Sequence, residues 1–148
     1  MDLAFTDEQD MLREAVRGLC ADAADSVRAM ENDPKGFDDD FWQGLAAMGL
    51  TGLMTPEARG GSGMGLLDAA IIAEELGRGA VPYSFHSAAV MAPLAIAALG
   101  SDEQRTEWLG AIASGERTVS VVFAPALPAE GAWEDSVAYV PDATCADA

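Results

Sequence analysis

The chain has 148 residues, half of them hydrophobic and only 7% aromatic, enough for one domain and the start of another, with a core built on Ala, Leu, Val and Met. Its 25 acids against 8 bases give a net charge of −17, a field that repels nucleic acid and anionic membranes and argues against both as partners, while the hydrophobicity argues against the disorder that often accompanies such acidity. Cys20 and Cys145 stand in no CxxC or Cys/His spacing, no basic n-region precedes an apolar stretch, and the most apolar run, 87–99, is short for a bilayer and interrupted by Pro93; the expectation is a soluble cytoplasmic protein with reduced thiols and no metal.

The stretch "FTDEQDMLREAVRGLCADAADSVRAMEND" opens with a capping box, Thr6 as N-cap and Gln9 three residues on, with acids in the first turn where the helix dipole favours them. Leu12, Val16, Leu19 and Cys20 recur at helical spacing, and Asp33-Pro34-Lys35-Gly36 breaks the pattern. A second helix, "FDDDFWQGLAAMGL", places Phe41, Leu45 and Met48 on one side. After the loop "TGLMTPEARGGSGMG" comes a third helix over 66–76, expected to bury Leu67, Ala70, Ile71 and the stem of Glu74, and to stop at Gly77 and Gly79. "VPYSFH" turns into a fourth, very apolar helix over 87–99, in which Pro93 is a kink or a break. Gly100 ends it, and Ser101 with Gln104 forms a second capping box for a helix that buries Trp108, Leu109 and Ile112. Past Gly115 the β-branched "RTVSVVFA" reads as a strand and "VAYV" as another. Two short strands do not make a stable sheet alone. The fold class is therefore mainly α, a helical bundle over residues 1–116 followed by an incomplete β segment over 117–148.

The loop "PEARGGSGMG" invites a nucleotide reading and fails it. A dinucleotide fingerprint follows a strand, and a P-loop ends in Lys-Ser/Thr; here a helix precedes the loop and no such lysine follows. A tight turn with positive φ accounts for the glycines. His86 has Phe85 and Ser87 as neighbours and no partner in sequence, which favours a turn or pocket wall over catalysis. Glu74 and Glu75 point about 100° apart on a helix and do not converge on a substrate; a salt bridge to Arg78 suits one of them. Asp38, Asp39 and Asp40 lack the alternation of an oxygen-ligand cage and suit a helix start. The residues alone give no complete catalytic constellation.

In order, the segments resemble the acyl-CoA dehydrogenase family. "FTDEQDMLREAVRGLC" is similar to its opening helix, "FWQGLAAMGLTGLMTPEARGGSGMGLLDAAIIAEELGRG" to its Trp helix, Pro-Glu and Gly-Gly-x-Gly loop and Glu-Glu-Leu-Gly helix, and "ALGSDEQRTEWLGAIASGE" to its Gln…Trp-Leu…Gly-Glu segment. The resemblance covers 3–123 and implies an N-terminal helical domain, a middle β domain and a C-terminal helical domain. It implies FAD bound between the last two, an acyl-CoA thioester as substrate, an electron-acceptor flavoprotein, and a dimer or tetramer, homo- or hetero-oligomeric. In such an enzyme of lipid metabolism a glutamate takes the α proton and hydride leaves the β carbon for the flavin.

Carried over residue by residue, the resemblance places flavin contacts at Phe123 and Ala124, where the family has a Thr-Glu-Pro segment, and at Tyr139, Val140 and Pro141. It places the acyl pocket against Tyr83, Phe85, Val90, Met91 and Leu94, for which plain helical core is the equal alternative. The glutamate base belongs to the absent C-terminal domain, so no catalytic residue is assigned here. The strands that the family has between the Phe123–Ala124 segment and "VAYV" are also missing, with "AWEDS" running straight into "VAYV". The expectation is a piece of an FAD-dependent acyl-CoA dehydrogenase, active only with its missing half or a partner chain. The alternatives are a non-catalytic subunit of a heteromeric dehydrogenase, or a flavin monooxygenase of the same fold.

Overall fold

The computed structural model describes residues 4–34, 36–81, 84–122 and 144–147. Six α-helices occur among them: α1 (Asp7–Asp22), α2 (Ala24–Ala29), α3 (Asp39–Ala47), α4 (Leu66–Arg78), α5 (Ala92–Leu99) and α6 (Asp102–Ala113), with a π-helix, Phe85–Met91, running directly into α5. Both sequence-predicted capping boxes are present: Gln9 N–H donates to Thr6 Oγ1, and Gln104 N–H to Ser101 Oγ, each at 3.2 Å. Asp38 caps α3 by accepting from the Asp40 and Phe41 amides. Each cap satisfies amides that the helix itself leaves without partners.

The core is one cluster centred on Val16, Trp42, Leu45, Leu53, Ile72 and Phe85, with α1 laid along α4. Side chains on α3 and the loop after it close the far end of α6. Trp42 Nε1 donates to the Gly115 carbonyl at 3.2 Å and Thr51 Oγ1 to the Ala113 carbonyl at 2.8 Å, which satisfies carbonyls that the end of α6 leaves free.

Several expectations need correction. The first helix is not continuous: it breaks at Ala23, whose carbonyl accepts the Ser26 hydroxyl at 2.9 Å, and finishes in a 3₁₀ turn, Met30–Asn32. Met48 lies past the end of α3 and is exposed. On α4 the buried residues are Ala69, Ile71, Ile72, Glu75 and Leu76, whereas Leu67 is 55% exposed and Ala70 and Glu74 are exposed as well. The face is rotated because Glu75, polar in any pattern, is drawn inward by α1. Gly77 lies inside α4, which runs on to Arg78. Trp108 is half-buried, with the Arg117 guanidinium 4.8 Å from its ring centroid. Residues 117–122 carry no strand, and "VAYV" lies outside the described residues.

The glycine loop folds on itself. Gly60 has φ +85° in open space, while Gly61 packs so closely that a Cβ would collide with the Thr55 carbonyl and side chain. The Ser62, Gly63 and Met64 amides all donate back to carbonyls of Gly52, Thr55 and Leu53 at 2.9–3.0 Å, so they are committed within the loop rather than aimed at an anion. Gly60→Ala is expected to cost about 1 kcal/mol through φ alone, and Gly61→Ala about 3 kcal/mol through overpacking. Urea midpoints of the two variants test this ordering, and equal losses would refute the close-approach explanation.

Candidate functional site

A recess of about 280 Å³ opens between α4 and the π-helix. Leu66, Ala69, Ala70 and Ala73 supply one wall, at the i, i+3, i+4 and i+7 spacing that brings residues to one helix face. Phe85, His86 and Val90 supply the other. Alanines leave the space that larger side chains would fill. The lining is apolar apart from the exposed His86 imidazole, and no acid stands with it. Such a recess can take a hydrocarbon group and offers no acid–base pair for chemistry.

Of the residues expected at an acyl pocket, Phe85 and Val90 therefore line one recess. Met91 is half-buried and Leu94 is 40% exposed, and neither lines it. Tyr83, Phe123, Ala124, Tyr139, Val140 and Pro141 lie outside the described residues. Sequence reasoning missed Leu66, Ala69, Ala70 and Ala73 as lining; their one signal is small residues repeated along one face of α4.

The π register has a local cause. Pro93 has no amide hydrogen, and its ring conflicts with an α-helical carbonyl four residues earlier. The preceding turn is wider: the Ala92 amide donates to the Ser87 carbonyl, five residues back, before α5 starts with proline in its first turn. Wide turns of this kind recur at functional sites.

On the α1 side of α4 the charge is concentrated. The Glu75 side chain is fully buried and meets Arg17 in a two-pronged pair, Nε to Oε2 at 3.0 Å and NH2 to Oε1 at 2.8 Å. Arg78 Nε lies 3.4 Å and Arg13 Nε 3.8 Å from its oxygens. The hydrogen bonds from Arg17 lower the Glu75 pKa against the opposing effect of burial, and the charges of Arg17, Arg78 and Arg13 add to the lowering. Glu74 instead meets Arg78 at the surface, 3.7 Å away, so the two adjacent glutamates do diverge. A smaller recess of about 240 Å³ beside this cluster reaches Cys20, whose thiol pKa is raised by burial and by the Glu75 charge. Among the described residues neither Cys20 nor Cys145 is in a disulfide. Among the described residues no group of His, Cys, Asp or Glu is arranged to hold a metal ion, and no helix is long and apolar enough to cross a membrane.

Over residues 6–116 the chain matches the family model described as the acyl-CoA dehydrogenase N-terminal domain. It is 35% identical over 130 residues to acyl-CoA dehydrogenase IpdE2 of Mycolicibacterium smegmatis, covering 86% of this chain and 40% of that protein. It is 33% identical over 117 residues to the mitochondrial isovaleryl-CoA dehydrogenase of Bos taurus, covering 76% of this chain and 27% of that one. Among solved structures, a variant of the Tcur3481–Tcur3483 steroid ACAD superimposes with a TM-score of 0.70 at 36% identity, over 76% of this chain and 31% of that one. The ChsE4–ChsE5 complex of Mycobacterium tuberculosis superimposes with a TM-score of 0.74 at 26% identity, over 80% and 33%. The chain thus spans well under half the length of these relatives.

Glu75 makes stability depend on pH with a defined sign. Its folded pKa lies below the ordinary carboxylate value of 4.5, so its contribution is fully present above that value and is lost as pH falls through the folded pKa. Glu75→Gln should lower Tm by roughly 5–10 °C at neutral pH, and the gap to the wild type should narrow on acidification. A gap that stays constant from pH 7 down to the acid transition would exclude this role.

Proposed function

The chain belongs to the acyl-CoA dehydrogenase family, and from that premise we propose that it is the helical portion of an FAD-dependent enzyme of lipid metabolism that introduces an α,β double bond into an acyl-CoA thioester. The observation that carries this reading is the match to the family's N-terminal domain over residues 6–116, together with an apolar recess on the helix that follows the Glu-Glu-Leu-Gly segment. We divide the chain at 116/117: α6 ends at Ala113 and the family match ends at 116.

The helical portion supplies the apolar wall. Phe85 and Val90, with the alanines of α4 opposite, exclude water from a hydrocarbon tail and orient it. FAD, when bound, supplies the hydride acceptor. The base that removes the α proton comes from the part of the enzyme outside these residues, on the same chain or on a partner, and an electron-acceptor flavoprotein reoxidises the cofactor. Segment 117–122 is tied to the π-helix and to 144–147, and the family resemblance assigns the flavin contacts to Phe123 and Ala124, next in sequence, and to Tyr139, Val140 and Pro141. Two cysteines outside any disulfide suit a reducing, cytoplasmic setting.

A second reading has one observation in its favour. Phe123 and Ala124 stand where the family has a threonine hydroxyl and a glutamate, so the chain suits a subunit that completes a heteromeric dehydrogenase, in a dimer or tetramer, without turning over itself. Native mass spectrometry of the purified protein separates the two. A chain well above the calculated 15.4 kDa carrying one FAD, whose flavin absorbance is bleached by an acyl-CoA, is the expected result. A 15.4 kDa chain seen without FAD and only beside a larger partner would establish the second reading. A flavoprotein whose turnover consumes oxygen would instead be the monooxygenase alternative.

In the active enzyme Ala73→Leu, which fills the recess, is expected to raise KM for the acyl-CoA about tenfold with little change in kcat or FAD content. An unchanged KM for acyl groups of every length and branching would remove the recess from the substrate site.

A further inference from the structure

Three hydroxyls that are almost wholly buried, Ser84, Ser87 and Thr118, stand where the π-helix meets segment 117–122 and the short stretch 144–147, outside the apolar recess. Buried hydroxyls persist where they have partners. Ser84 Oγ lies 3.1 Å from Cys145 Sγ. Thr118 Oγ1 donates to the Cys145 carbonyl, and the Thr118 amide donates to Asp147 Oδ2 at 2.8 Å while the Asp147 amide returns to the Thr118 carbonyl at 2.7 Å. Ser87 Oγ accepts the Val121 amide at 3.0 Å.

The Ser87 bond is of a different kind from the others. A serine inside a helix commonly bonds back to a carbonyl of the preceding turn; this one reaches a backbone amide 34 residues further on. Its own carbonyl accepts the Ala92 amide that defines the wide turn before Pro93. Segment 117–122 is Arg-Thr-Val-Ser-Val-Val, and its β-branched residues offer little by which an extended chain could choose among registers, while a one-residue slip exchanges its two faces. A hydrogen bond from one backbone amide to one helix-borne oxygen makes that choice.

We infer that Ser87 is a positioning residue: its hydroxyl pins Val121 and sets the register at which the chain leaves the helical domain toward Phe123 and Ala124, so that the helix walling the acyl recess and the segment leading to the flavin are held to each other. The flavin half of this statement rests on the reading under Proposed function.

Amide hydrogen exchange in the purified protein tests the pin. Ser87→Ala should speed exchange at Val121 about tenfold relative to core amides such as Ile72, whereas Ser84→Ala, which removes a neighbouring buried hydroxyl that touches Cys145, should leave Val121 unchanged. Ser87→Thr retains the oxygen and should keep Val121 protected, which preserves the test if the alanine variant unfolds. Equal Val121 exchange in the wild type, Ser87→Ala and Ser84→Ala would overturn the pin.

For the flavin half, FAD titration of the holoenzyme should give a Kd raised about threefold or more, with a shifted flavin absorbance maximum, in Ser87→Ala and not in Ser84→Ala. Faster Val121 exchange with an unaltered flavin would overturn that half. A wild-type protein that binds no FAD would overturn the reading it rests on, and the exchange result would still decide whether Ser87 pins Val121.

Discussion

The arrangement depends first on one carboxylate that has been taken out of water. A buried glutamate is costly unless charge and hydrogen bonds surround it, and Glu75 obtains them from α1 through Arg17 and Arg13 and from its own helix through Arg78. Replacing such a cluster by apolar groups is often neutral in net stability, so what the carboxylate contributes is direction. With Glu75 held against α1, the rotation of α4 about its axis is settled. Ile72 and Leu76 then enter the core, and the alanines of α4 turn toward the π-helix. Gln9 extends the same seam at the other end of α4, donating to Asp68 at 3.1 Å, while Asp68 accepts the Gly65 amide at 3.0 Å.

Where local chemistry decides, the sequence was a sufficient guide. Thr6 with Gln9 and Ser101 with Gln104 announce helix starts because a cap needs only residues three apart, and Gly100 marks a stop for the same reason. The face of α4 was not legible, because the partner that buries Glu75 lies 58 residues away and a hydrophobic pattern counts a glutamate as outside. Pro93 announced an interruption without its form: the missing amide was visible, the five-residue bond to Ser87 was not. Phe85 and Val90 were readable as large apolar residues beside the turn, whereas the alanines opposite them resemble ordinary helix filler. Space left by small side chains is seen only once the facing element is in place.

The same contrast separates family from site. Family membership spreads over many short signals in fixed order, each a cap, a breaker or a packing residue. Reacting groups are few, and the recess between α4 and the π-helix has no acid–base pair in its lining.

The acid-rich first turns that start α1, α3 and α6 have an effect well beyond the helices they begin. With 25 acids against 8 bases, acids dominate the charge of this chain. Within a Debye length of about 8 Å at physiological ionic strength, that charge slows the approach of any polyanion and hastens that of a basic surface. For this chain, added salt therefore speeds the approach of a polyanion and slows that of a basic partner.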